Sequence, residues 1–289
     1  MSKMNKQDLC NLITKFVVES ELNKLSSQLA IYPELAQMKL FDAPLIGFSS
    51  ASDELYTTTF KKEGVISPLY MAPEEWLENA KTVVSFFVPL SAQIRESNRT
   101  NNDVPYEESI PQRASAQWLH GRIEGQVFID ALTAYIESEL TKAGFDCVCP
   151  TTSDRFKIVA PYVSNWSERH AAYASGLGTF GLSKGLITKK GIAGRFGSVI
   201  TSAYFEPDTR PYKDPFEYCI MCGACQARCP ANAIDASRGC ALGKDQNICG
   251  PYVIGSYLPP HGPNKIVRYG CGKCQVGVPC EFEIPKLSK

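Results

Sequence analysis

Cys219-Ile-Met-Cys222-Gly-Ala-Cys225-Gln-Ala-Arg-Cys229-Pro230 is the stretch that says most about this chain. Three cysteines two residues apart, followed by a cysteine–proline pair after a gap of three, match the bacterial run that binds iron–sulfur cubanes. On a tight loop, three such thiolates wrap three irons of one cluster. The fourth lies beyond a turn and points to a second cluster. Gly223 and Ala224 keep the loop free of bulk where it must hug the metal. Zinc sites also use Cys-x-x-Cys pairs, but zinc closes with four ligands, and more cysteines follow here.

Those further cysteines are Cys240, Cys249, Cys271-x-x-Cys274 and Cys280. Two cubanes need eight thiolates, and nine are at hand. We assign Cys219, Cys222, Cys225 and Cys280 to one cluster and Cys229, Cys249, Cys271 and Cys274 to the other. Cys240 is then spare, with its exchange for Cys249 or Cys280 left open. Crossed ligation of this kind ties the segment together, so removal of metal should unfold it. Two clusters so close suit electron relay. The remaining cysteines, Cys10, Cys147 and Cys149, are scattered among apolar neighbours and read as buried small hydrophobes.

The rest of the chain has ordinary globular composition. Hydrophobic residues make up 44% and charged residues 21% of the 289, which excludes wholesale disorder. Thirty basic and thirty acidic side chains cancel, which argues against a protein whose main work is gripping phosphate backbones. Met1 to Ser20 has no apolar h-region or cleavage site. The longest strongly apolar run, Val83 to Leu90, is too short to span a bilayer. A soluble, cytoplasmic protein with no membrane partner is expected. In that reducing compartment clustered cysteines favour metal over disulfides.

Periodicity and breakers divide the remainder. Leu9, Leu12, Ile13, Phe16 and Val17 fall at helical spacing. Leu45 to Phe48 and Val83 to Val88 read as strands, and 91–113 as a long irregular connection. A long helix is expected over 114–143 with Gly144 as its stop. Short strands follow near Cys147 and over 156–159. Asn165-Trp-Ser-Glu168 resembles a capping box opening a helix that ends at Gly176. Leu186 to Thr188 and Phe196 to Tyr204 read as a hairpin around Lys189-Lys-Gly191. Pro207, Pro211 and Pro215 mark a linker. The fold class is therefore α+β, with an α/β domain over 1–210 and a ferredoxin-like domain over 211–289. Gly176-Leu-Gly178-Thr-Phe-Gly181 matches a dinucleotide fingerprint as a string, but it follows a helix and leads into a strand. That polarity is the reverse of what pyrophosphate binding needs.

Ser167-Glu-Arg-His-Ala-Ala-Tyr-Ala-Ser-Gly-Leu-Gly-Thr-Phe-Gly-Leu-Ser183, the Arg195-Phe-Gly-Ser-Val-Ile-Thr201 strand and the cysteine-rich end together resemble epoxyqueuosine reductases and their relatives. The resemblance spans most of residues 160–280. It implies a nitroreductase-like α/β domain that binds cobalamin, joined to a domain with two 4Fe-4S clusters, a plan shared with reductive dehalogenases. The clusters would feed electrons from an external donor, ferredoxin or flavodoxin, to a base-off corrinoid. FMN is the alternative cofactor that the nitroreductase-like core allows. By resemblance, Arg169, His170, Gly176, Gly178, Thr179, Gly181, Gly197 and Ser198 would border the cofactor. No Asp-x-His-x-x-Gly string occurs, so a histidine-ligand loop would not hold it.

The resemblance also sets the catalytic candidates. Tyr162 stands where the family has a proton-donating aspartate. With an ordinary pKa near 10, a tyrosine there needs a cation such as Arg169 or Arg195 beside it. A core aromatic with a satisfied hydroxyl is the other reading. Glu168 reads as a helix cap or as a catalytic carboxylate, and Arg195 as a solvated side chain or a partner for a carboxamide or phosphate. The chain departs from the family pattern at Cys280, which follows Cys274 after five residues with Pro279 before it. It also ends nine residues after Cys280, without the family's helical-repeat extension. A small-molecule or partner-bound corrinoid substrate is expected, and transfer RNA is not. The alternative function is an electron-transfer or activator protein with no organic cofactor.

Overall fold

The apolar stretches near Leu45 and Val83 become β1 (Leu45–Ser50) and β2 (Thr82–Pro89) in the computed structural model, which describes residues 4–100, 114–160 and 163–286. β2 is buried along its whole length. Its side chains alternate between two cores. Val84, Phe86 and Val88 belong to one, Val83 and Phe87 to the other, as a two-residue period requires. β2 pairs antiparallel with β1 on one edge and with β8 (Gly194–Thr201) on the other, with Phe86 opposite Gly197. β3 (Cys147–Val148) closes the far edge, giving the order β1-β2-β8-β3.

One face of this sheet is covered by α1 (Lys6–Glu19) and α4 (Ala116–Lys142). Leu9, Ile13 and Val17 of α1 are fully buried at four-residue spacing, and Asn5 and Asp8 close a capping box at its start. Ser115 caps α4, and Gly144, at φ +83, ends it as the sequence predicts. The other face packs on α5 (Glu168–Ala174) and an aromatic group of Tyr56, Trp76 and Trp166. α2 (Pro73–Trp76) supplies the second of these. The result is a mixed α+β body in which an antiparallel sheet is buried on both sides.

Three local expectations change. Ala92–Ser97 form a helix, α3, inside the span read as irregular, because Ser91 supplies a cap to Ile94; residues 101–113 of that span lie outside the described residues. The expected hairpin does not form. β7 (Leu186–Thr188) pairs with β6 (Gly178–Phe180), while β8 enters the central sheet; a bridge from Thr188 to Gly191 closes the turn that precedes β8. A turn motif cannot reveal that a strand prefers a more distant apolar partner. Finally, Asn165 does not cap α5. Its amide is spent on Lys157 and Arg155, beside the short pair β4 (Ile158–Ala160) and β5 (Val163–Ser164), and the cap position falls to Ser167.

The cysteine-rich segment contains α6 (Ala224–Ala227), α7 (Gly239–Leu242), α8 (Gln246–Gly255) and the hairpin β9 (Tyr257–His261)–β10 (Ile266–Tyr269). Its Leu258 and Val276 join the same core as α1. Arg268 of β10 is fully buried. It pairs with Glu124 of α4 at 2.5 Å and donates to the Leu29 carbonyl at 3.0 Å. His120 Nε2 accepts from the Ile31 amide, so its proton sits on Nδ1 and goes to Glu124, 3.0 Å away. Among the described residues no helix is long and apolar enough to cross a membrane.

Candidate functional site

The two halves of the cysteine cluster adopt one local form. Cys222-Gly223-Ala-Cys225 and Cys271-Gly272-Lys-Cys274 each place a left-handed glycine, at φ +72 and +70, before a short helical turn. A side chain at either glycine would be strained. At Gly272 it would also strike Trp118, since a Cβ there would lie 2.0 Å from the indole. Met221, at φ +52, bends the first loop further.

Cys219, Cys222, Cys225 and Cys280 line one small cavity with Gly181, Met221 and Val278. Burial and then neighbouring thiols push Cys225 and Cys280 up to about 12. Cys240 does not line this cavity but stands beside it, its Sγ 3.2 Å from Met221 Sδ. Cys229, Cys249, Cys271 and Cys274 instead line a second, larger cleft. Cys249 arrives there on the first turn of α8, which Asp245 caps. Among the described residues no three metal-binding side chains close on a point as a single-ion site would require.

The larger cleft has a volume of about 450 Å³, within the ~300–1,000 Å³ of ordinary small-molecule pockets. Its other walls come from α4 (Trp118, Arg122, Gln126), the start of α5 (Glu168, Arg169) and the start of β8 (Gly194, Arg195, Phe196). Three sequence-derived candidates, Glu168, Arg169 and Arg195, thus meet the second cysteine quartet across one space.

Glu168 has the most unusual surroundings. Both carboxyl oxygens are shut from solvent and neither has a hydrogen-bond partner. Burial raises its pKa to about 7. Ser198, Thr151 and Trp166 are close enough to temper the rise, but none is placed to complete a hydrogen bond. With Ser167 at the cap position, the capping role does not account for this carboxylate. A buried, unpartnered carboxyl that is half protonated near neutrality is suited to proton transfer.

Arg169, on the cleft wall, also donates to the Lys184 carbonyl. The other candidates lie elsewhere. His170 is turned from the cleft, packed between Phe60 and Phe180 with Nδ1 2.7 Å from Ser167 Oγ. Burial, then the Arg169 charge, pushes it down to about 3. Gly176 lies against Thr209, Gly178 against the Ile187 carbonyl and Gly197 against the Phe86 ring. Gly181 borders the smaller cavity. Thr179 accepts from the Tyr218 amide, and Ser198 from the Trp166 indole. None of these lines the larger cleft. Tyr162 lies outside the described residues. Arg122 and Gln126 were not singled out from sequence; their i,i+4 spacing on α4 was the available signal.

Residues 214–235 match the 4Fe-4S binding domain family. No curated protein matches the chain. The fold is similar to that of a catabolic reductive dehalogenase, NpRdhA, at 17% identity and TM-score 0.53, covering 83% of this chain and 30% of that one. A second reductive dehalogenase structure, described with a mechanism for B12-dependent dehalogenation, matches at 14% identity and TM-score 0.52 over the same shares. An epoxyqueuosine reductase from Streptococcus thermophilus matches at 20% identity and TM-score 0.47, covering 84% of this chain and 64% of its own length. This chain therefore spans less than two thirds of each.

Proposed function

We propose that the chain is an iron–sulfur oxidoreductase in which two 4Fe-4S clusters pass electrons to a cobalamin in the larger cleft, for reduction of a small or partner-bound substrate. One observation carries this reading: the second cysteine quartet and Glu168, whose carboxyl is unpartnered, line the same cleft. Each quartet surrounds a space rather than a point, which suits a cubane better than a single ion. By this assignment Cys219, Cys222, Cys225 and Cys280 hold the outer cluster, near exposed Met221 and Cys222 where a ferredoxin or flavodoxin could deliver electrons. Cys229, Cys249, Cys271 and Cys274 hold the inner one.

A bound corrinoid would supply low-valent cobalt chemistry. The chain's own residues do the rest. Leu186, Ile192, Phe196 and Trp118 give the cleft its apolar wall. Glu168, protonated below about pH 7 and held in the cleft wall by α5, is the chain's candidate proton donor. Arg169 places positive charge within reach of Cys274. Tyr162 is proposed as a second proton donor on resemblance alone.

Anaerobic reconstitution followed by corrinoid titration tests the reading. About eight irons per chain and a spectral change on adding cobalamin are expected. Fewer than about seven irons would remove the two-cubane assignment. Iron–sulfur absorption unchanged by cobalamin or FMN would point to an electron-transfer protein without organic cofactor, and a response to FMN alone to a flavin enzyme.

A further inference from the structure

The larger cleft carries four cations, Arg122, Arg169, Arg195 and Lys244, and Glu168 is the one acid among its described lining residues. The four divide in two. Arg169 and Lys244 sit within the field of Cys274, so a cluster bound by the inner quartet would answer their charge. Among the described residues Arg122 and Arg195 have no such partner. The charges acting on Arg195 come from Arg122, Asp130 and Tyr269, with no cysteine among them. Asp130 forms no ion pair with it; its carboxylate accepts from Gln126 Nε2 at 2.8 Å.

The two arginines are nonetheless held close, near enough for the Arg122 charge to act on Arg195. Arg195 Nη2 donates to the Arg122 carbonyl at 2.7 Å and to Gln126 Oε1 at 2.8 Å. Arg122 is braced over the Tyr269 ring at 4.8 Å. Its aliphatic stem also presses on Gly270, where a Cβ would come within 2.7 Å of it. Both Nε–H groups are buried and donate to nothing. Burial and the Arg122 charge lower the Arg195 pKa to about 10. Two neighbouring cations with orphaned donors are costly unless an anion joins them, and planar guanidinium forks suit oxyanions.

We propose that Arg122 and Arg195 form an anion subsite that takes a phosphate or carboxylate group of the molecule bound in the cleft, with Gln126 as the residue that positions Arg195. The proposal rests on the cleft being a binding site, but not on cobalamin being its occupant. The anion can belong to a cofactor with a phosphodiester tail or to an acidic substrate.

The test uses the full chain, anaerobically reconstituted, with Trp118 fluorescence and calorimetry as binding readouts. Inorganic phosphate and benzoate are titrated into the wild type, Arg195→Gln, Arg122→Gln and the exposed control Lys213→Gln. At least one anion should bind the wild type and the control alike and weaken about 10-fold or more in each arginine variant. Cobalamin and cobinamide, which lacks the nucleotide phosphate, then separate the sources. A loss confined to cobalamin assigns the anion to the cofactor, and loss of neither assigns it to the substrate. Should cobalamin fail to bind while the anion response persists, the cofactor reading falls and the subsite stands. If the glutamine variants do not fold, Arg195→Lys, which keeps the charge but loses the fork, should still weaken anion binding. Failure of both anions to bind the wild type, or equal binding by wild type and arginine variants, overturns the proposal.

Discussion

Glu168 shows how one side chain can be costly to the fold and useful to the site. Its folded pKa of about 7 lies above the ordinary 4.5 because burial disfavours the anion. The folded chain therefore keeps a proton that the unfolded chain loses, and stability falls as pH rises from about 4.5 to 7, then stays low. Glu168→Gln should remove that slope. It should leave stability nearly unchanged at pH 4.5 and raise it by about 3 kcal/mol at pH 8, read from denaturant unfolding at both pH values. Any reductase activity should drop by ~10²-fold or more if the carboxyl donates the proton. The cysteines divide at the same scale. Cys249 lines the inner quartet's cleft, while Cys240 stands beside the outer quartet. Cys249→Ser should lose about four irons after reconstitution and Cys240→Ser none. The reverse result would exchange their places.

Among the elements, α4 does the most varied work. Its buried side packs on the sheet, while Trp118, Arg122 and Gln126, one turn apart, face the cleft. The length and ends of this helix were legible in the sequence, since Ser115 and Gly144 bracket it. Which of its polar residues matter was not, because periodicity identifies a face and not what approaches it. The loop at Gly272 meets α4 at Trp118, with no room for a methyl group. Gly272→Ala combines a strained φ with that clash. A loss of ~2–3 kcal/mol is expected, together with fewer retained irons, measured by thermal unfolding and iron analysis. The short strands misled for a related reason. Three residues such as Leu186-Ile-Thr188 carry too little pattern to choose between neighbouring partners.

At the scale of the whole molecule, the cysteine-rich segment is bound to the α/β body by buried polar contacts. Arg268 and Glu124 pair out of solvent, and Lys273 donates to the carbonyls of Asn98 and Thr100. Glu281, beside Cys280, is held by Arg95 and Arg99. Removing one partner of the first pair strands a buried charge. Arg268→Ala should cost ~3–5 kcal/mol, whereas the apolar double change Arg268→Met with Glu124→Leu should recover much of it. Equal losses for the two variants, by denaturant titration, would show that the pair is not coupled. Because these anchors adjoin Cys271 and Cys280, chelating the iron should lower the unfolding temperature of the body as well as of the segment.

The sequence by itself determined the chemistry of the cysteines and the main elements. Cysteine spacing is a local constraint on which thiolates one loop can offer, and helix caps and alternating strands are equally local. Tertiary structure alone decided what those parts face. It sorted eight of the nine clustered cysteines between two cavities, freed Glu168 from a capping role and brought Arg122 beside Arg195 from 73 positions away in the chain. The packing of α4, α5 and β8 around one cleft depends on side chains far apart in sequence, and no local pattern encodes that.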